Sequence, residues 1–577
     1  MTLRQTLAFL LFDWLQVQTL CERPRFAEHS REQFEAMLDA AERSAREQVA
    51  PANRACDAEE PRLDAQGRVQ LPASTATALR AYRDSGLLAA TADAEWGGLQ
   101  LPCAVAMAAN AFYSRASVGV AGYGLLTSGN AHLVLAHGTA RQREVFAQPC
   151  LEGRWFGTMC LSEPAVGSSL GDLTTRARPD GADFEADPLG PRYRLKGSKT
   201  WISGADHELG ENIVHLVLAK VVGADGALPP GSAGISLFIV PKFRVEDGRH
   251  NGVTLAGLNH KLGWRGTVNG LLNFGEADDC LGYRVGAEGQ GLACMFHMMN
   301  EARIGVGLGA ALLAYAGFET SLAYAKERTQ GRPVGQREGP MVPIAQHPDV
   351  RRMLLAQKAI AEGALALCLY CAQLVDAEDE ASQELLALLT PIAKSWPSQW
   401  GLEANSLAIQ VLGGAGYTRD WPLEQYWRDQ RLNMIHEGTH GIQALDLLLR
   451  KASRPQALGL LAARINTTVE AALQRPELAE AANQLAAALA LVGKATKAAW
   501  ASGDPAQAAL QATPYLQAFG HTVIAWIWLD LGLCDTDPGR AAARQYFFAY
   551  ELPLVAAWLA PVLARQALLA DVNPDTL

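Results

Sequence analysis

The 577-residue chain has no excess of positive charge, no disulfide framework and no long uninterrupted apolar run. Its formal net charge of −10 argues against nucleic acid as the main partner, although local arginines could still hold a phosphate. Its ten cysteines lack the spacing of a disulfide scaffold, which fits a reducing cytoplasm. Cys368 and Cys371 form a CxxC, but Ala-Leu-Cys-Leu-Tyr-Cys-Ala predicts a buried helix, and no second cysteine pair accompanies it to build a metal or redox centre. No stretch reaches the roughly 18–20 uninterrupted apolar residues of a membrane span. Near the N-terminus Arg4 precedes an apolar run, yet Asp13 interrupts it and no small-residue cleavage site follows. An amphipathic helix packed on the body is therefore expected there, not a signal peptide. No internal repeat is visible.

What is present is ordinary soluble material: 49% hydrophobic and 19% charged residues, with a mean hydropathy of +0.01. The length exceeds one hydrophobic core, so two to four domains are expected. Helical periodicity dominates to about residue 155, beginning clearly at 31–56 and broken by Glu95-Trp-Gly-Gly-Leu-Gln-Leu-Pro102. From 156 to 282 short β-rich runs appear, such as 212–219, 234–240 and 270–274, separated by Gly, Asp and Pro. Helical patterns return from about 283 to 454, and an Ala/Leu-rich helical segment runs from 455 to 577. The division expected is 1–155, 156–282, 283–454 and 455–577.

Residues 410–443 carry the most chemical information. Gly413, Gly414 and Gly416 lack the Cβ that would keep backbone amides from a pyrophosphate. Glu437 lies between the apolar Met434–Ile435 and the small pair Gly438–Thr439. A carboxylate held against apolar groups is partly desolvated, and its pKa rises toward that of a general base. Taken separately, the two halves also read as a glycine turn between helices followed by a surface glutamate.

Together they resemble the acyl-CoA dehydrogenase family pattern. The matching residues are Gln410, Gly413, Gly414, Gly416, Tyr417, Arg428, Asp429, Glu437, Gly438, Thr439, Ile442 and Gln443. Three further blocks match in family order: Met159-Cys-Leu-Ser-Glu-Pro-Ala-Val-Gly-Ser168, Lys196-Gly-Ser-Lys-Thr-Trp-Ile-Ser203 and Tyr324-Ala-Lys-Glu-Arg-Thr-Gln330. The resemblance spans about residues 90–450. It implies a mainly α fold with a central β-domain: an N-terminal helical domain, a middle β-barrel and a C-terminal four-helix bundle. Residues 455–577 exceed the usual family length and resemble the helical extension of a bacterial subgroup that includes the methylthiopropionyl-CoA dehydrogenases.

The resemblance implies FAD as cofactor and Glu437 as the base that takes the α-proton of an acyl-CoA. It places Met159, Leu161, Ser162, Gly167 and Ser168 along the flavin loop, with Trp201, Ile202 and Ser203 behind the flavin ring. Arg328, Gln330, Gln410, Gly413 and Gly414 would grip the dinucleotide of a neighbouring subunit, and Thr439 would also contact the cofactor. Ser168, Arg303 and Gly438 would meet the substrate. It further implies an electron-transferring flavoprotein as acceptor and a homo-oligomer, with a dimer favoured. An acyl-CoA oxidase and a non-catalytic flavin-binding regulator are the alternatives. Several positions depart from the pattern: Ser162 replaces Thr, Ser169 replaces Asp, His436 replaces Tyr, Gly441 replaces a polar flavin contact, Asn300 replaces an acid, and Arg328-Thr-Gln-Gly-Arg-Pro333 lacks the usual aromatic. Gly305-Val-Gly-Leu-Gly-Ala310 superficially suggests a dinucleotide motif but has no strand before it, so its glycines are expected to allow close helix packing.

Overall fold

The computed structural model describes residues 2–577 and is mainly helical around one β-rich region. Two compact units divide the chain. One comprises residues 20–302; the other joins the N-terminal residues through Thr19 to residues 303–577.

In the first unit, helices Arg31–Ser44, Cys103–Ala116 and Val118–His137 precede the main sheet. β1 (Arg62–Leu63) and β2 (Val69–Gln70) form a small separate ribbon. The sheet is built from β3 (Trp155–Cys160), β4 (Arg176–Pro179), β5 (Arg192–Ser203), β6 (Asn212–Val221), β7 (Ile235–Pro241), β8 (Val253–Leu258), β9 (Asn269–Phe274) and β10 (Leu281–Val285). β5 pairs with both β4 and β10, β10 with β7, β7 with β6, and β6 with β4, so five strands close on themselves. β9 and β8 extend from β5, and β3 runs parallel to β6. Every residue of β6 is buried, as expected for a strand covered on both faces.

In the second unit, the long helices Pro348–Ala377 and Glu380–Leu412 pack along each other and on the C-terminal half of helix Gly291–Glu327. Asp379 caps the second of these by accepting from Ser382 N at 2.9 Å. That helix has Pro391 and Pro397 in its interior, one turn either side of Lys394. Pro397 has no N–H to give Ala393. Against that same carbonyl packs Gly307, where a Cβ would lie 2.0 Å from Ala393 O. The glycines of 305–310 thus include one that close helix packing requires. Cys368 and Cys371 are buried in helix Pro348–Ala377, where desolvation raises both thiols, Cys371 to about 12.

Helices Pro455–Leu473, Pro476–Ala499, Ala512–Gly532 and Leu554–Leu563 form the C-terminal segment, with Trp526 and Trp528 fully buried. The segment is docked: Trp528 Nε1 donates to Ala359 O at 3.1 Å, and Trp396 Nε1 donates to His521 Nδ1 at 3.0 Å. The N-terminal helix joins the same body, with Trp14 Nε1 donating to Asp530 at 2.8 Å. The expectation that no segment qualifies as a membrane span needs narrowing. Among the described residues, three helical stretches do by length and composition: 291–327, 348–377 and 538–563. The first two have 78% and 89% of their apolar windows buried against protein, which accounts for their composition, and the third 39%.

Candidate active site

Helix Leu423–Leu432 ends in a loop that doubles back on itself: Ile435 N–H donates to Leu432 O (2.8 Å) and His440 N–H to Met434 O (2.9 Å). Thr439 then caps the short helix His440–Leu445. Between these ends Glu437 has φ +53° and Gly438 φ +85°, two consecutive left-handed residues. Glycine adopts this conformation freely and glutamate does not. The turn is held from both sides. Lys394 Nζ donates to Gly438 O at 2.7 Å, while Gln443 Nε2 donates to Glu437 O at 3.0 Å and to Gly438 O at 3.4 Å. A Cβ on Gly438 would lie 2.6 Å from Gln443 Nε2, so a side chain there would displace the amide that holds the turn.

The electrostatics fit a base. Burial raises the Glu437 carboxyl to about 7, with the charges of Lys394 and Arg303 opposing the rise. Burial lowers the fully buried Lys394 ammonium, while the attraction of Glu437 and the hydrogen bond to Gly438 O favour its charged form. Arg303 is buried and donates to Asp446 Oδ2 at 3.2 Å. Burial and the Lys394 charge hold His436 and His440 at about 3 and 4, so both are neutral near pH 7 and bring no charge to the base. Arg303 Nε, Ser395 Oγ and Gln443 Oε1 are buried without a protein hydrogen-bond partner, and a bound polar ligand could satisfy them.

Elsewhere in the same unit, residues 328–330 bridge to 342–344. Ile344 N–H donates to Arg328 O (2.8 Å) and Gln330 N–H to Val342 O (3.0 Å). Gly413 ends helix Glu380–Leu412 at φ +58°. Both segments flank one cluster that includes Ala325, Ile344, Ala408, Leu412, Tyr324 and Ala415. Arg328, Gln330, Gln410, Gly413 and Gly414 are all exposed, on segments that border this cluster. A Cβ at Gly413 or Gly414 would meet nothing within 4 Å, whereas one at Gly416 would lie 2.4 Å from Ile409 O. Only Gly416 is demanded by the chain's own packing; the other two leave backbone open to a ligand.

In the β-rich unit, the loop after β3 is anchored by Glu163, which lies within the block 159–168. Glu163 is buried, pairs with Lys199 Nζ at 3.0 Å and accepts from the N–H and hydroxyl of both Thr174 and Thr175 at 2.6–2.9 Å. Burial opposes its charge, but Lys199 and the threonines prevail and hold it at about 2. Lys199 is itself lowered by burial, which favours its neutral form while the lowered Glu163 favours the charged one; five hydrogen bonds to the carboxylate favour the ionised pair. Lys199 also donates to Leu161 O (2.9 Å), and Thr200 N–H to Ser162 O (3.0 Å). The loop is therefore tied to β5, with Gly167 and Ser168 exposed at its tip; the Met159 side chain is buried in the core.

β5 is bulged between Lys199 and Ile202. The bulge turns Ile202 inward and leaves Trp201 at φ +60° with 66% of its surface exposed. A solitary strand tryptophan is normally core. This one is a presented face, and beside it Ser203 Oγ accepts from Asn269 Nδ2 at 3.1 Å.

Lys394, Asp446 and Glu163 escaped the sequence reading as site residues. Lys394 had one detectable signal: it is a lone cation in the apolar run Leu385–Pro397. The other two had none, because their partners are distant in sequence.

Family models match almost the whole chain: the acyl-CoA dehydrogenase N-terminal domain over residues 31–154, its middle domain over 158–276 and its C-terminal domain over 289–452. A fourth, acetyl-CoA dehydrogenase C-terminal like, covers 461–573. The chain is 35% identical over 545 residues to 3-methylmercaptopropionyl-CoA dehydrogenase of Ruegeria pomeroyi, covering 91% of this chain and 88% of that one. It is 31% identical over 593 residues to the broad-specificity linear acyl-CoA dehydrogenase FadE5 of Mycobacterium tuberculosis, with 95% and 94% covered. Among solved structures, ACDH-11 of Caenorhabditis elegans in complex with C11-CoA aligns with a TM-score of 0.78 at 20% identity, over 99% of this chain and 94% of that one. An acyl-CoA dehydrogenase of Bacillus anthracis complexed with FAD gives 0.74 at 20% identity, over 95% and 90%.

Proposed function

This chain belongs to the acyl-CoA dehydrogenase family and is an FAD-dependent oxidoreductase, and from that premise we propose that it dehydrogenates an acyl-CoA thioester between Cα and Cβ, with Glu437 as the base. The observation that carries this reading is the setting of Glu437: a carboxylate in a left-handed turn, raised to about 7, with Lys394 and Arg303 as nearby cations. A base poised near the working pH combines the unprotonated form with a strong pull on the proton.

The residues present fit FAD. Each unit taken by itself carries groups suited to it: in one, Trp201 offers an exposed aromatic face; in the other, the Gly413–Gly414 backbone is open to a ligand, and Arg303, Ser395 and Gln443 have buried polar atoms without protein partners. Bound FAD would supply the acceptor for the β-hydride. The chain's own residues do the rest. Glu437 takes the α-proton on a carboxylate oxygen. Its N–H is the proposed donor to the thioester oxygen, in a peptide segment fixed by Lys394 and Gln443. As the proton leaves, negative charge moves from Glu437 to the thioester, while Lys394 and Arg303 are the cations that act on Glu437.

The substrate range is tested by anaerobic titration of the holoenzyme with butyryl-, 3-methylmercaptopropionyl-, medium- and long-chain acyl-CoA, following loss of flavin absorbance. At least one should bleach the flavin without any added acceptor; bleaching by none would defeat the proposal. An electron-transferring flavoprotein is the proposed physiological acceptor. Rapid peroxide formation in air after substrate reduction would instead favour an oxidase.

A further inference from the structure

We propose that Lys394 is a positioning residue for the base: with Gln443 it holds the Glu437–Gly438 turn in the conformation that presents the carboxylate, and it places a positive charge beside that carboxylate. The inference rests on Glu437 being the base.

The turn needs holding. Two consecutive left-handed residues, one of them glutamate, do not stay so by their own preference. Each carbonyl of the pair accepts a side-chain hydrogen bond: Glu437 O from Gln443, and Gly438 O from both Gln443 and Lys394. The two donors come from different elements, helix His440–Leu445 just beyond the turn and helix Glu380–Leu412 far from it in sequence. Gln443 ties the turn to its own continuation, and Lys394 ties it to the bundle.

Burying an ammonium is costly unless it is paired. Lys394 is fully buried on a helix stretch bracketed by Pro391 and Pro397, and its hydrogen bond goes to the residue directly after the base. The charged and titratable groups around it are Glu437, which attracts it, Arg303, which repels it and is paired with Asp446, and the neutral His436 and His440. Lys451 lies further out, within the influence of Arg303 and Asp446. A lysine that served packing alone would be replaceable by an apolar chain of similar length with no consequence for protonation of the base.

The test uses holoenzyme carrying Lys394→Met, Lys394→Arg or Gln443→Leu. Lys394→Met should lower kcat at pH 7 at least about tenfold, with KM for acyl-CoA within about threefold of wild type. The midpoint of the kcat–pH profile should move upward by about one unit or more, because a neighbouring cation favours the carboxylate. Lys394→Arg keeps the charge and should keep the wild-type midpoint. Deuterium uptake by the backbone amides of residues 434–443 should rise in Lys394→Met and in Gln443→Leu, the latter without a change of midpoint. An unshifted midpoint together with unchanged uptake in Lys394→Met would overturn the proposal, as would equal midpoint shifts in the Met and Arg variants. If Lys394→Met does not fold, unchanged uptake in Gln443→Leu overturns the clamp. Retained turnover in Glu437→Gln would instead show that the base assignment has failed, and the uptake measurement reads the clamp independently of it.

Discussion

Lys394 Nζ lies 2.7 Å from the carbonyl oxygen of Gly438, so a buried ammonium on one helix is bonded to the residue that follows the candidate base 43 positions on. That bond ties the peptide after Glu437 to the packing of the bundle.

Replacing Glu437 with glutamine keeps shape and most hydrogen bonding but removes the proton acceptor. Turnover should fall by at least about 10²–10⁴-fold while bound flavin is retained. In the wild type, kcat should rise with pH through about 7, because only the ionised carboxylate accepts a proton and burial has raised it to that value. Steady-state kinetics across pH 5.5–8.5 check both points, and a flat profile or a near-wild-type glutamine variant would count against the role.

Gly438→Ala should damage the turn twice over, through its left-handed φ of +85° and through a Cβ 2.6 Å from Gln443 Nε2. A stability loss of about 1–2 kcal/mol is expected from the backbone conformation. The larger effect should be on kcat, because the displaced amide is the one that holds the base. Thermal unfolding and kinetics on the same sample separate the two; an unaffected kcat would show that the turn tolerates movement.

Glu163 is held at about 2, below its ordinary 4.5, so its ionised form stabilises the folded state. The sign follows from linkage. This contribution is present above about pH 4.5 and is lost as pH falls through about 2. It amounts to at most about 3 kcal/mol, reduced by the cost of burying Lys199. Glu163→Gln should therefore be less stable than wild type at pH 7, with the gap narrowing between pH 4.5 and 2. Denaturant unfolding at several pH values measures it, and a gap independent of pH would refute the assignment.

Arg328, Gln410, Gly413 and Gly414 are exposed on segments that border one hydrophobic cluster. If these residues grip the cofactor of a second subunit, Arg328→Ala should weaken FAD retention and dimer stability together, since ligand bound to the assembled form stabilises it by mass action. Light scattering and flavin content should change in step. A monomeric, fully flavinated wild type would rule the arrangement out.

Removing residues 455–577 strips Trp528 from Ala359 and His521 from Trp396. The uncovered apolar surface should cause aggregation or a change in oligomeric state. In the intact protein the extension is proposed to cover apolar surface of the bundle that a further copy of the chain could otherwise occupy, leaving a dimer. A soluble, dimeric and equally active truncation would show the extension to be dispensable.

Much of this protein was determined by local sequence. The capping of helix Glu380–Leu412 by Asp379, the strands at 212–221, 235–241 and 269–274, and the glycine spacing at 413–416 follow from near-neighbour chemistry and from hydrophobic period. Glu437 was legible because its motif is contiguous. What the fold alone decided depends on residues distant in sequence. Lys394 is 43 positions from Glu437, Arg303 is 143 from Asp446, and Lys199 is 36 from Glu163. No period or turn rule links such positions, because a charge's pKa and partner depend on what packing brings within a few ångströms and on how much water it excludes. Trp201 shows the same division. Sequence supplied an aromatic in a strand, and only the bulge in β5 turned it outward at φ +60° and made it a face available to a ligand.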